Sequence, residues 1–193
     1  MKPQFSTLVL LTFVCAALLT PFVFSGYYLP ALREQDFDFY QMLQTEVYKQ
    51  ATGFTALGLV LLEILLALRK RGRRWQVALP GSVLLWRRAH IFVGVSLIGV
   101  ILVHTFGATG HNYNGAFLWV FFAVSLSALV GATTETGILA SRFRYFRFPP
   151  LPTITKGPLI RSWRSIWLGT HIFLVSIFSV MLGFHILLAY YYQ

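Results

Sequence analysis

The chain has 193 residues, 56% of them hydrophobic and only 11% charged, with a formal net charge of +10. A water-soluble domain of this length needs more polar surface to cover itself, so the composition implies an integral membrane protein. The basic residues sit between apolar runs rather than along a groove or an RNA-reading sheet, which argues for membrane topology and against nucleic acid as a partner.

Five apolar segments can be drawn, at about 6–25, 51–68, 89–107, 115–136 and 166–191, each near the ~20 residues a helix needs to cross hydrocarbon. The expected fold is all-α: a single membrane domain over 1–193, built as a bundle of five transmembrane helices. The first segment, within "MKPQFSTLVLLTFVCAALLTPFVFSG", has the charged start and apolar middle of a secretory signal. Its apolar part is long for one and no A-x-A site follows, so it is expected to stay as a helix. Cys15, the single cysteine, lies inside it, gives no disulfide framework, and reads as small core filler.

The joint before the second segment carries four acids (Glu34, Asp36, Asp38, Glu46) against two bases (Arg33, Lys49). The second segment contains Glu63, where a carboxylate is costly unless paired or protonated. It either faces a proton path or a bound redox ligand, or snorkels toward Arg69 and Lys70. The next joint holds seven bases, Arg69, Lys70, Arg71, Arg73, Arg74, Arg87 and Arg88, and its "LPGSVLL" around Pro80 is expected to lie along the interface. The third segment runs from His90 to His104 as "HIFVGVSLIGVILVH". "GATGHNYNG" follows without a Lys or Arg, and His111 in it reads as a solvated loop residue. The fourth segment ends near Glu135, which is expected to meet the basic interface. The last joint carries six bases, Arg142, Arg144, Arg147, Lys156, Arg161 and Arg164, and "FPPLPTITKGP" (148–158) reads as an ordered, non-helical turn. The fifth segment holds "HIFLVSIFSVMLGFH", His171 to His185. With basic loops inside, the amino terminus is expected to be cytoplasmic and the carboxyl terminus outside.

Fourteen residues at about 100° each come to about 1,400°, some 40° short of four rotations, so His90 and His104 share a helix face about 21 Å apart. His171 and His185 repeat that geometry. One segment separates the two histidine helices, so they run in the same direction, His90 at the depth of His171 and His104 at the depth of His185. An iron porphyrin between such helices takes one imidazole from each, so two level pairs imply two b-type haems. Polar interhelical contacts or a proton route are the alternative, and account less well for a repeated, level arrangement.

Other residues fit a flat cofactor. Gly94 follows His90 by one turn, and Gly169 and Gly183 each precede a histidine by two residues; all three read equally as close helix packing. Phe178 lies seven residues from both His171 and His185, pointing between the haems or filling space, and Leu97 is packing. Haem propionates need cations. Arg87, three residues before His90, is the best candidate, with Arg88, Arg161 and Arg164 at the same inner level. At the outer level the donors are His111, Asn112 and Tyr113.

The histidine pattern, over about 84–192, resembles the ferric-reductase-like transmembrane domain shared with NADPH oxidases. The spacing, the Arg87-x-x-His90 opening in "WRRAH" and the "FHILLAYYY" ending are also similar to cytochrome b of the respiratory quinol–cytochrome c reductases. No flavin or nicotinamide domain and no "PEW"-like quinol motif is found, so the resemblance implies an electron-conducting core whose donor and acceptor are other molecules. The expected function is a di-haem cytochrome b subunit carrying electrons across a membrane, within a multi-subunit quinone/cytochrome redox complex of a respiratory chain. Two haem b groups are the expected cofactors, with a quinone near Glu63 as a further candidate ligand. Membrane lipid and other redox subunits, a cytochrome or a flavoprotein/iron–sulfur protein, are the expected partners, in a bacterial inner (cytoplasmic) membrane. Two other classes stay open: a self-contained ferric or quinone reductase fed by a separate flavoprotein, and a non-redox proton-coupled transporter or assembly subunit.

Overall fold

The computed structural model describes residues 4–71 (side chains to 65), 81–147 and 153–191. In chain order the elements are α1 (Phe5–Gln35), α2 (Phe37–Gln44), α3 (Glu46–Arg71), α4 (Val83–Thr105), α5 (Tyr113–Ala140), β1 (Tyr145–Phe146), β2 (Ile154–Thr155) and α6 (Lys156–Tyr191). Among the described residues the regular structure is therefore helical apart from one short antiparallel ribbon, in which Tyr145 pairs with Thr155 and Phe146 with Ile154. Among the described residues α1, α4, α5 and α6 are long and apolar enough to cross a membrane. Large apolar side chains on α6 face outward, Ile166, Phe173, Val180, Phe184 and Leu187 among them. Such a surface aggregates in water and is the natural contact for lipid.

The apolar segments are found as helices, but with different ends. α1 continues past Pro21 and Pro30 to Gln35, since leaving the helix inside an apolar run would expose backbone groups with nothing to bond. The acidic joint contains α2, capped by Asp36, whose carboxylate accepts from Phe39 N at 3.0 Å. α4 begins at Val83 because Ser82 caps it, accepting from Leu85 N at 3.1 Å, so this part of "LPGSVLL" is the first turn of a long helix. Leu79 and Pro80 lie outside the described residues, as do Arg73, Arg74 and 148–152 of the proline-rich turn. The end of that turn is helical: Lys156, Gly157 and Pro158 open α6, where proline's missing N–H has no partner to lose.

The chain forms two compact units, one of Phe13–Thr109 and one of Gln4–Thr12 with the residues from Gly110 onward. The first is centred on the hairpin of α3 and α4. α3 satisfies the last carbonyls of α4: Tyr48 OH donates to Val103 O at 2.8 Å and Lys49 Nζ to His104 O at 2.9 Å. α4 then stops at Phe106, left-handed at φ 53°, and Gly107 follows at φ 74°. Tyr28 OH donates to Phe106 O at 2.8 Å and lies where a side chain at position 107 would stand, so that position requires glycine. Cys15 is buried in α1 and Leu97 in α4, both as packing.

The second unit is centred on the hairpin of α5 and α6. Lys156 Nζ donates to Leu139 O and Ser141 O, each at 2.7 Å, closing the carboxyl end of α5 with a cation. Within α1, Thr12 Oγ1 lies 3.4 Å from Thr133 Oγ1, and the Phe5 ring stands against Gly137. Trp167 Nε1 donates to Ser127 O at 2.9 Å, and its indole occupies the space a Cβ at Gly131 would need. Gly131→Leu is therefore expected to push the indole out and lose its hydrogen bond, at a cost of about 1–3 kcal/mol. Thermal melting in detergent checks this, with a clear fall in midpoint as the expected result.

Candidate functional site

The four membrane histidines lie on the second helix of each hairpin, and in each case the first helix meets the ring at Nδ1. In the first unit, the Glu63 carboxylate contacts His90 Nδ1. Thr52 Oγ1 lies 2.8 Å from His104 Nδ1. The order is antiparallel, the later α3 residue meeting the earlier α4 histidine. Gly53 gives His104 room, since a Cβ there would stand 3.4 Å from ring Cε1.

The second unit repeats the arrangement. Ser127 Oγ lies 3.1 Å from His171 Nδ1, and Asn114 Oδ1 lies 2.9 Å from His185 Nδ1. Phe117 stacks on the His185 ring with centroids 5.1 Å apart. Arg164, His171, Phe178 and His185 recur every seven residues and all meet α5, as a heptad-spaced stripe does between two packed helices.

The oxygens that face the rings favour one protonated nitrogen. Thr52 has one hydroxyl proton, and it is given to Tyr48 O at 2.8 Å, so toward His104 the oxygen can only accept. Ser127 likewise gives its proton to Val124 O at 2.8 Å and accepts from His171. The amide oxygen of Asn114 and the carboxylate of Glu63 are acceptors by nature. Each Nδ1 thus faces an oxygen that can accept from it, an arrangement that suits the Nδ1–H tautomer with its lone pair at Nε2. Imidazole bound to a metal has this form, with the far N–H held by an oxygen that fixes the ring plane and raises its basicity. The donor set fits haem iron.

The remaining sequence candidates divide. Glu63 meets His90, with its Oε1 buried and lacking a hydrogen bond among the described residues. The Arg69 and Lys70 side chains, its other candidate partners, lie outside those described. A Cβ at Gly94 would stand 3.9 Å from Glu63 Oε1, whereas at Gly169 and Gly183 it would meet nothing within 4 Å, so those two glycines open onto free space. Phe178 is buried against Phe117, 5.2 Å between centroids, and Phe121, 6.0 Å, which is the packing role the sequence left open. Arg164 is paired with Glu135, a buried carboxylate. Arg87 and Arg88 stand half-buried near the start of α4, and His111 is an exposed loop residue. Beside His185 an open cleft of about 180 Å³ is lined by Asn112, Tyr113, Asn114, Leu188 and Ala189.

Thr52, Ser127 and Asn114 were not marked by the sequence. One signal was available for the first: Thr52 and Glu63 are eleven residues apart, about three helical turns, and so share the face of α3 that meets both histidines of α4. Comparison with family models, curated proteins and solved structures gives no match to this chain.

Proposed function

We propose that the protein is a di-haem cytochrome b subunit that carries electrons across a membrane. One haem b is held by His90 and His171, and a second by His104 and His185. The observation that supports this is the shared setting of the four rings, each with Nδ1 against an oxygen of the neighbouring helix, which suits metal ligation through Nε2. When bound, the cofactor supplies a one-electron iron couple with both axial positions filled, which suits electron transfer rather than oxygen chemistry.

The chain's own residues hold and orient. Thr52, Ser127, Asn114 and Glu63 fix the ring planes, and Gly53, Gly169 and Gly183 keep space open along the histidine helices. Arg87 and Arg88 are candidates for anionic propionates at the inner level, and Asn112 and Tyr113, in the cleft by His185, at the outer. Arg164 is taken up by Glu135 and has less to offer there.

α3 is the fifth crossing. Glu46 and Lys49 lie at its outer end and Glu63 is met by His90, leaving the rest of the helix to residue 65 uncharged. The basic joints place the amino terminus in the cytoplasm and the carboxyl terminus outside. Electrons are exchanged with a quinone or with a cytochrome, flavoprotein or iron–sulfur subunit of one complex, in a bacterial inner membrane.

The contact of Glu63 with His90 also suits a proton route in a non-redox transporter. Thr52, Ser127 and Asn114 do not titrate, so that reading accounts for one histidine and the haem reading for all four. Pyridine haemochrome analysis of purified protein is expected to give two protohaems per chain. Folded protein from haem-replete cells with no protohaem overturns the proposal in favour of the transporter.

A further inference from the structure

We propose that Glu63 is a positioning residue that makes the two redox sites unequal, holding the His90 site at a lower midpoint potential than the His104 site; this rests on the di-haem reading. Of the four Nδ1 acceptors, Glu63 alone is a carboxylate; the others are two hydroxyls and an amide oxygen. A carboxylate against Nδ1–H draws the proton toward itself, so the ring gains imidazolate character and Nε2 becomes a stronger donor to oxidised iron. Its negative charge, with the side chain only 16% exposed, favours the oxidised state again, because charge acts strongly where water is scarce.

The other end of the same hairpin has the opposite sign. His104 meets the neutral Thr52, and its carbonyl accepts from the Lys49 ammonium at 2.9 Å. A cation there favours the reduced state. Arg87 and Arg88 work against the effect of Glu63, but they stand one turn nearer the end of α4, where water and headgroups screen them, while Glu63 touches the ring. In the second unit Glu135 and Arg164 cancel one another. A single electron shared between the two sites therefore resides at the His104 level, toward the outer face.

Potentiometric titration followed by absorbance tests this on wild type, Glu63→Gln, Lys49→Gln and His104→Ala. The wild type is expected to show two one-electron waves, and His104→Ala to keep the lower one. Glu63→Gln is expected to raise that lower wave by at least tenfold in its reduction equilibrium, about 59 mV for one electron, with the upper wave unmoved. Lys49→Gln is expected to lower the upper wave. Retention of the upper wave in His104→Ala overturns the proposal, as does an unmoved lower wave in Glu63→Gln carrying both haems. If Glu63→Gln loses a haem, the wave kept by His104→Ala decides alone. Wild type without protohaem instead overturns the di-haem reading itself.

Discussion

His104→Ala is expected to release one of two protohaems per chain and to leave the other with its absorbance bands intact. Alanine cannot ligate iron, so under the proposed di-haem assignment the variant loses the haem assigned to His104 and His185. His90 lies about 21 Å away along α4, with its own acceptor in Glu63, so its site does not depend on the missing ring. The reciprocal change, His90→Ala, is expected to spare the other haem. Circular dichroism should show helix content unchanged in both, since each replaces an imidazole by the best helix former. Both variants retaining two haems would remove these rings from the ligand set. A loss of both haems from each variant would mean that the sites do not form independently.

The helices were legible from hydropathy because a crossing segment must be apolar for about 20 residues, and few other signals have that length. Their ends were not. The first segment was drawn to residue 25, yet α1 continues through Pro30 to Gln35. Ser82 and Asp36 are cap residues whose role depends on a single local hydrogen bond, and the pattern Asp36 before "FDFYQ" was a readable start for α2. In the site, a period of fourteen set which histidines share a face, and that needs only helix geometry. It did not set which neighbour covers that face. Arg164 was a candidate as a base at the inner level, and Phe178 as a residue between the haems or a space filler; that α5 meets them with Glu135, Phe117 and Phe121 was not readable. The acceptors Thr52, Ser127 and Asn114 were invisible for the same reason. A lone hydroxyl or amide in an apolar run gains its meaning only when a second helix is laid against it.

Arg164→Met is expected to destabilise the protein by about 1–3 kcal/mol, because it removes the guanidinium that pairs a buried carboxylate. Glu135 is 3% exposed, and its Oε1 is held by the Arg164 guanidinium. With the cation gone, the buried carboxylate loses its guanidinium hydrogen bond and the charge that offsets its own, and that loss costs free energy. The double variant Glu135→Gln with Arg164→Met removes both charges at once and is expected to recover most of the loss, since a neutral pair of similar size has no charge to leave unpaired. Chemical denaturation in detergent, read by the fluorescence of Trp163 and Trp167 on the same helix, measures all three variants. Recovery in the double variant assigns Arg164 to Glu135. If instead Arg164→Met leaves stability unchanged but loosens haem at the His90 level, and Glu135→Gln does not restore it, Arg164 serves a propionate and the ion pair is incidental.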